Sequence, residues 1–511
     1  MTILNSNDLH GQLMINHIRL IIRSPFFWIS LLYLISARGH LEVIDTEYSI
    51  RTAKAIIENG TMRIHPVDNE FLKVSVNPSK DGKVYSQYGI GLAILFIPFI
   101  ISGKILSVIF AIPQDILTAF LLSFYNIPFA ILGLWFIKKI LLSLGRKKIH
   151  ADATIVIIAI ATAYWSYSIT DFSEITQLSF LLGSLSAVLS CSHLKWRYFS
   201  FWFALLLSIK VAYIILLPVF FFYGLIEGKK NHSVLIKEIG NGAYFLAPFG
   251  ILLGIANYIR FGSFFELGYG GNPGITFGIN HFIDNCIPST ISLHYGILPF
   301  NPILIAFPLW IKVSQLNKSF ACLAMLLIGT WFCFMCSYSY GWGWGWGQRY
   351  LFAIIPLSVL CIAFIDQVDL PKFSKILFVK IIICSSVIQL VSASTKFHEP
   401  LTMQMKVQDE FDGPYYGQLP STILLFVHKL LDGSTNYPLS IIGGESNEYV
   451  NLSDYESFQG LNFWPVHALK FLNLDQYIRV VEISILSIIF MLQVGLLKIY
   501  LPKLLTRKYS D

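Results

Sequence analysis

Charge is what this sequence is short of. Only 13% of its 511 residues are charged, against about 25% in an ordinary soluble domain. That is too little to coat a soluble globule of this size. Cysteine is sparse and odd in number, 7 in all, and all but Cys286 lie in or beside apolar stretches. Cys333 and Cys336 form a Cys-x-x-Cys, but inside an apolar run. Neither a disulfide framework nor a cysteine metal cluster follows. His281, His294, His398, His428 and His467 lack the His-x-x-x-His and His-Glu-x-x-His spacings, so no zinc site is expected. The net charge of +7 comes from basic residues in short loops between apolar runs. They read as topology determinants, and nucleic acid is excluded as a partner. The first apolar run has no small-residue cleavage pattern after it and is expected to be a signal anchor. No internal repeat appears, and the one biased tract is the Gly-Trp alternation of Gly341–Gly347.

What is present is apolar sequence. Hydrophobic residues make up 55% of the chain and the mean hydropathy is +0.62. A membrane span needs about 20 mainly apolar residues, and such runs recur from Leu20–Ser36 to Ile483–Tyr500. Each must be helical in lipid, because only a helix satisfies its own backbone there. The expected class is an all-α polytopic membrane protein. It would have about 11–13 membrane helices, external juxtamembrane helices and a small external segment near the C-terminus.

Basic clusters mark the cytoplasmic side. The strongest joins Lys138, Lys139, Arg146, Lys147 and Lys148, and another closes the chain at Lys503, Arg507 and Lys508. Residues 1–19 are then cytoplasmic, and 20–391 form the membrane module with an external loop over 38–87. Residues 392–478 are an external segment, and 479–511 hold the last membrane helix and a basic cytoplasmic tail. Only one crossing fits between Leu20–Ser36 and the Lys138–Lys148 cluster. Asp115–Phe136 is assigned that crossing. Tyr88–Phe110, interrupted by Pro98 and by Gly103-Lys104, is expected to lie along or dip into the outer face. Both ends of Tyr198–Leu225 should be cytoplasmic, so it reads as two short helices meeting at Lys210. A lysine at mid-membrane is costly and marks a functional position.

Several residues have chemistry to offer on the outside. Asp45 sits where the chain leaves the first span and begins a helix with Thr46 or Asp45 as its cap. A carboxylate there suits a general base toward a hydroxyl, and equally a helix cap that complements the dipole. The next external turn adds Asp171 and Glu174. Acids on one side of the membrane can share a site, one as base and one orienting substrate, or they can be a solvated turn. Arg349 follows the Gly-Trp tract. An arginine matches a phosphate bidentately and a lysine offers a point charge, so Arg349 and Lys210 are candidate phosphate ligands. Arg349 also fits a snorkelling cation at a helix end. Trp342, Trp344 and Trp346 are interface aromatics, or they stack on a sugar. A divalent metal is chemically compatible with such acids, but no ligand spacing indicates one.

These stretches resemble a family. "DTEYSIRTAKAIIENGTMRI" after the first span looks like the first external loop of type-C glycosyltransferases, the polytopic enzymes of the protein O-mannosyltransferase and aminoarabinose-transferase kind. "GKVYSQYGIGLAILFIPF", "YSITDFSEITQ", "LSIKVAYIILLP", "NYIRFGSFFELGYGG" and "WGWGWGQRYLFAIIPL" are similar to later elements of that superfamily. Their order from Leu20 to Pro356 is the specific part. The chain departs from the pattern at Asp45-Thr46-Glu47, so the base is Asp45 or Glu47. It departs again in the second loop, where Asp171 and Glu174 stand in place of one acid. The resemblance implies an inverting membrane transferase at a bacterial plasma membrane, with both termini cytoplasmic and the site open to the outside. The donor would be a polyprenyl-phosphate-linked sugar, and the acceptor a glycan, lipid or protein. Lys210 and Arg349 would hold the lipid phosphate, and Tyr85, Tyr88, Tyr269 and Trp346 would meet sugar or acceptor. A polysaccharide polymerase or ligase, and a lipid-linked saccharide transporter, are the competing classes.

Overall fold

The computed structural model describes residues 21–64, 76–78, 82–190, 194–227, 232–266, 276–339, 343, 345–396, 399, 417–431, 436–438, 449–451 and 460–505. In chain order the helices begin with α1 (Pro25–Ser36), α2 (Ile44–Asn59), α3 (Ile90–Phe110), α4 (Gln114–Leu122), α5 (Asn126–Ser143) and α6 (Lys148–Ala161). Then come α7 (Tyr164–Ser168), α8 (Glu174–Val188), α9 (Lys195–Ile209), α10 (Leu217–Glu227), α11 (His232–Phe261), α12 (Ile279–Ile291), α13 (Ile297–Phe300) and α14 (Trp310–Leu316). The last are α15 (Lys318–Cys336), α16 (Ile354–Val359), α17 (Lys372–Ser394), α18 (Gln418–Leu431), α19 (Trp464–Phe471) and α20 (Ile478–Leu505). Two antiparallel strand pairs, β1 (Val76–Pro78) with β2 (Val84–Ser86) and β3 (Asn436–Pro438) with β4 (Tyr449–Asn451), are the only sheet among the described residues. In the first pair Asn77 faces Tyr85.

The chain is a polytopic, all-α membrane protein. Among the described residues, 6 helical lines are long and apolar enough to cross a membrane, and shorter apolar helices accompany them. At the centre lie α6 and α8. Every residue of α8 is buried, and so is α6 from His150 onward. Their alanines, serines and glycine let neighbours approach closely without a hydrophobic drive between helices. Gly183 shows how tight this is, since a Cβ there would come within 2.8 Å of the Trp202 ring. Helices α5 and α9 flank α8, while α17 and α20 flank α6. Isoleucines, leucines and valines such as Val108, Ile251 and Ile488 form the exposed periphery.

Helix α3 has the length and composition of a span, yet it packs between α2 and α4. Tyr88, just before it, reaches Asp45. Six residues into the helix, the Phe96 ring lies 5.0 Å from that of Tyr125, whose hydroxyl donates to the carbonyl of Phe172. The first turns of α3 are thereby packed beside the loop that carries Asp171. The Tyr198–Leu225 run is broken where the lysine predicted it. Helix α9 stops at Ile209, Lys210 is extended (φ −143°, ψ 103°), and a 3-10 turn over Val211–Leu216 leads into α10.

A buried polar network ties the first loop to the later segments. Arg38 donates to the carbonyls of Thr395 (2.5 Å) and Ser392 (3.0 Å). Asn462 donates to Glu42 at 2.5 Å and its carbonyl oxygen sits 2.7 Å from His467 Nε2. The loop that leads to Asp45 is thereby fixed at both its ends.

Candidate active site

Helix α2 begins at Ile44, and the residue at its cap position is Val43, which has no side-chain cap. The expectation that Thr46 or Asp45 caps this helix is therefore corrected. The acceptor comes from another loop: Asp171 takes the backbone N–H of Glu42 at 2.9 Å and of Val43 at 3.2 Å through its two carboxylate oxygens. Thr46 donates its hydroxyl to the Asp171 carbonyl at 2.7 Å. A helix N-terminus leaves its first N–H groups unpaired, and Asp171 supplies an acceptor just ahead of them. Asp45 is left free of that duty and turns toward the bundle.

Three helix starts and one turn then converge. Glu174 opens α8, and Arg349 opens a 3-10 turn over Arg349–Leu351. Arg349 bridges the two acids, with Nη2 at 2.5 Å from Asp45 Oδ2 and Nε at 2.6 Å from Glu174 Oε1. The guanidinium carbon lies 4.5 Å above the Phe172 ring. The Tyr88 hydroxyl donates to the other Asp45 oxygen at 2.6 Å. Side-chain exposure is 26% for Asp45, 10% for Arg349 and 5% for Glu174. Asp45 thus keeps an opening to solvent, and the other two do not. Among the described residues Glu174 Oε2 is buried with no hydrogen-bond partner, which leaves one acceptor of the bridge unused there.

Lys210 approaches from the break between α9 and α10. Its Nζ lies 4.8 Å above the Tyr350 ring. That ring lies 5.7 Å from the Tyr338 ring, and Trp331 holds the Tyr350 backbone by donating to its carbonyl at 2.8 Å while stacking on Tyr213 at 4.1 Å, with 7° between planes. The glycines of the Gly-Trp tract have a concrete use at Gly345. A Cβ there would fall 2.9 Å from the Tyr167 hydroxyl and 3.1 Å from the Arg349 Cβ. A side chain there would crowd both groups, so glycine suits this close approach to the arginine.

The electrostatics separate the acids. Burial pushes Asp45 up, but the Arg349 charge and the bonds from Tyr88 and Arg349 outweigh it and hold its carboxyl below the usual range. Asp171 moves the other way, to about 7. Burial is the main cause and the Glu42 charge adds to it, against the backbone donors that favour the anion. Arg349 is pulled down by burial and raised well beyond its ordinary value by Asp45 and Glu174. It stays charged.

The sequence candidates thus sort by place. Asp45, Glu174, Arg349 and Tyr88 form one connected group, and Lys210 stands close enough to act electrostatically on Asp45. Glu47 points elsewhere: it pairs with Arg51 at 2.8 Å and is 41% exposed. Asp171 is engaged beneath the α2 start. Tyr85 is buried with its ring 6.4 Å from Phe261. Trp346 is buried with its indole N–H on Gln389 at 3.3 Å and its ring against Phe300. Tyr269, Trp342, Trp344 and His398 lie outside the described residues. Phe172 and Tyr350, which carry the two cations on their faces, were not singled out in the sequence. Their adjacency to Asp171 and Arg349 was the available signal. Among the described residues, no group of three or more His, Cys, Asp and Glu side chains could hold a metal.

Asp171→Asn is expected to retain sugar transfer within about tenfold. One carbonyl oxygen still serves the α2 start, and a neutral hydrogen bond is weaker than a charge-assisted one by roughly 1 kcal/mol. Comparing transfer rates of Asp171→Asn and Asp45→Asn checks this. Equal collapse of both would show that Asp171 takes part in chemistry.

No protein-family model matches the chain, and no curated protein matches it. Among solved structures it is similar to ArnT from Cupriavidus metallidurans in the apo state, at 11% identity over 93% of this chain and 76% of that one, with a TM-score of 0.48. It is similar to the same protein bound to undecaprenyl phosphate, at 11% identity over 94% and 77%, TM-score 0.47. It is also similar to the archaeal oligosaccharyltransferase AglB from Archaeoglobus fulgidus, in complex with an inhibitory peptide and a dolichol-phosphate, at 12% identity and TM-score 0.41. That match covers 76% of this chain and 58% of the archaeal one. Likeness at this level assigns no role to any residue.

Proposed function

We propose that this protein is a membrane glycosyltransferase that moves a sugar from a polyprenyl-phosphate donor to an acceptor hydroxyl. The observation that carries the reading is the bridge Asp45–Arg349–Glu174 with Lys210 beside it. Two carboxylates and two cations meet at one end of a membrane bundle, and the most exposed of the bridged residues is the acid best placed to act as base. The resemblance of the loop sequences to type-C glycosyltransferases supports the same reading.

The chemistry balances on these residues. The acceptor oxygen attacks the anomeric carbon as its proton passes to Asp45. The bond from that carbon to the phosphate oxygen breaks, and the electron pair leaves with the phosphate. The departing anion needs cations in a water-poor site, and Arg349 and Lys210 provide them. Arg349 also links the two halves of the reaction. Its Nη2 is occupied by Asp45 before donor arrives. A phosphate that draws the guanidinium away frees Asp45 from the charge that depresses its basicity. Glu174 keeps Arg349 anchored through Nε during that exchange.

Charge supports one sidedness. Helix α5 starts at Asn126, which donates to the Thr170 carbonyl at 2.7 Å beside the acid loop. The basic cluster from Lys138 to Lys148 lies at and beyond its other end. Basic clusters favour the cytoplasmic side, which supports an outward-facing site in a bacterial plasma membrane.

The test is a compartment-free assay. Radiolabelled polyprenyl-phosphate sugars are supplied to protein in detergent, with and without candidate acceptor glycans, lipids or peptides. Acceptor-dependent release of polyprenyl phosphate supports the transferase. Donor binding without any turnover over the whole panel points to a transporter instead, and growth of a polysaccharide chain to a polymerase. Lys210→Ala is expected to raise the donor KM about tenfold, the scale of one charge-assisted bond, with a smaller change in kcat. An unchanged donor KM would assign Lys210 a structural role only.

A further inference from the structure

Arg260 lies in the last turn of α11. It is 5% exposed, and its Nη1 donates to the backbone carbonyls of Tyr88 at 2.8 Å and Ser86 at 3.2 Å. Its Nη2 donates to Asn257 Oδ1 at 2.7 Å, and its guanidinium carbon lies 4.7 Å from the Phe261 ring. The guanidinium is therefore oriented from its own helix and presented to the segment that joins β2 to α3. That segment carries Tyr88, whose hydroxyl is on Asp45.

The segment is held at a second place as well. A Cβ on Gly89 would come within 2.3 Å of the Ile209 carbonyl oxygen, and one on Gly91 within 2.1 Å of the Ser208 hydroxyl. The chain after Tyr88 is thus pressed onto the end of α9, next to Lys210. Arg260 and the α9 terminus together leave the Tyr88 backbone little freedom. A tyrosine has two side-chain torsions, so a fixed backbone confines its hydroxyl to few positions.

We infer that Arg260 is a positioning residue that acts through Tyr88, by holding the Ser86 and Tyr88 carbonyls so that the Tyr88 hydroxyl stays on Asp45. For its effect on rate the inference rests on the glycosyltransferase reading, but the contact itself is measurable without turnover. A 1 Å displacement of a catalytic group by a remote change costs about 100-fold. A loss of up to about that size in kcat is expected for Arg260→Gln, with donor KM little changed.

The experiment places 3-fluorotyrosine at position 88 in the full chain in detergent and records its fluorine NMR signal. Asp45→Asn defines the signal of a Tyr88 whose acceptor has been altered. Arg260→Gln is expected to shift the wild-type signal by a similar amount, and Arg260→Lys, which keeps a buried cation, by less. Arg260→Lys also serves if the glutamine variant fails to fold. In kinetics, Arg260→Gln in a Tyr88→Phe background is expected to add no further loss. A fluorine signal unmoved by Arg260→Lys and Arg260→Gln, or an undiminished loss in the Tyr88→Phe background, overturns the assignment. A wild-type protein that transfers nothing from any polyprenyl-phosphate sugar refutes the transferase reading, while the fluorine signal still decides the contact.

Discussion

Asp45→Asn is expected to lower sugar transfer by about a thousandfold, within the range for loss of a general base, with membrane insertion unchanged. The amide has the shape of the carboxylate, so Tyr88 can still donate to Oδ1. It cannot take the acceptor proton. Glu47→Gln is the matched control: Glu47 pairs outward with Arg51, and its loss should leave transfer within about threefold, since exposed pairs are worth less than about 1 kcal/mol. The two acids are two residues apart, and only their helix faces distinguish them. Transfer at the wild-type rate by Asp45→Asn, or collapse in Glu47→Gln, would reverse the assignment. Asp45 is held below the usual carboxylate range by Arg349 and Tyr88 despite its burial. The protein without ligand therefore keeps the proposed base ionised down to acid pH. The donor-dependent release of Arg349 is what would make that anion basic enough to matter.

How much of this was legible beforehand depends on range. Membrane class, helix content and the break at Lys210 were readable because they follow from local composition: an apolar run interrupted by one lysine has few ways to be satisfied. Counting charges suggests that Tyr88–Phe110 is no simple span, whereas its length and composition are those of one; local sequence does not choose between them. Which acid does what was not readable. Asp171 and Glu174 are three residues apart, yet one serves a helix start 128 residues away in sequence and the other an arginine 175 residues away. Sequence spacing carries no trace of those partners. The Gly-Trp tract misled in part. Trp346 looks like an interface or sugar-stacking residue, but its indole is buried on Gln389 and Phe300. The glycine before it, which allows Arg349 to be covered, was the informative residue. Arg260 lay in a quoted motif but had no readable task, because its acceptors are carbonyls of a distant loop.

Arg349→Ala is expected to have the second large effect, and it should appear in stability as well as in rate. Removing the arginine takes a cation from the departing phosphate, a loss of about 100- to 1,000-fold by analogy with a single oxyanion donor. It also leaves Glu174, 5% exposed, and Asp45 without their shared counter-charge. Breaking a buried pair from one side costs about 3 kcal/mol, which should lower the thermal midpoint in detergent. The pH dependence identifies the cause. In the wild type Asp45 has a depressed folded pKa, so its contribution is present above the unfolded value of about 3.9 and is lost as pH falls through the lower folded one. Without Arg349 its largest lowering influence is gone, while the Tyr88 bond and the Lys210 charge remain, so the folded pKa of Asp45 moves up from its wild-type position. The stabilisation that the ionised Asp45 contributes is then lost at a higher pH in the variant than in the wild type. The gap between wild type and Arg349→Ala should therefore be narrowest at acid pH and widen as pH rises between the two folded pKa values. Arg349→Lys keeps the charge but has no fork to span two carboxylates, so it should fall between them in stability while transfer stays strongly impaired. A gap that is constant with pH would mean that Arg349 stabilises the fold by packing on Phe172 alone, and the bridge would lose its place in the mechanism.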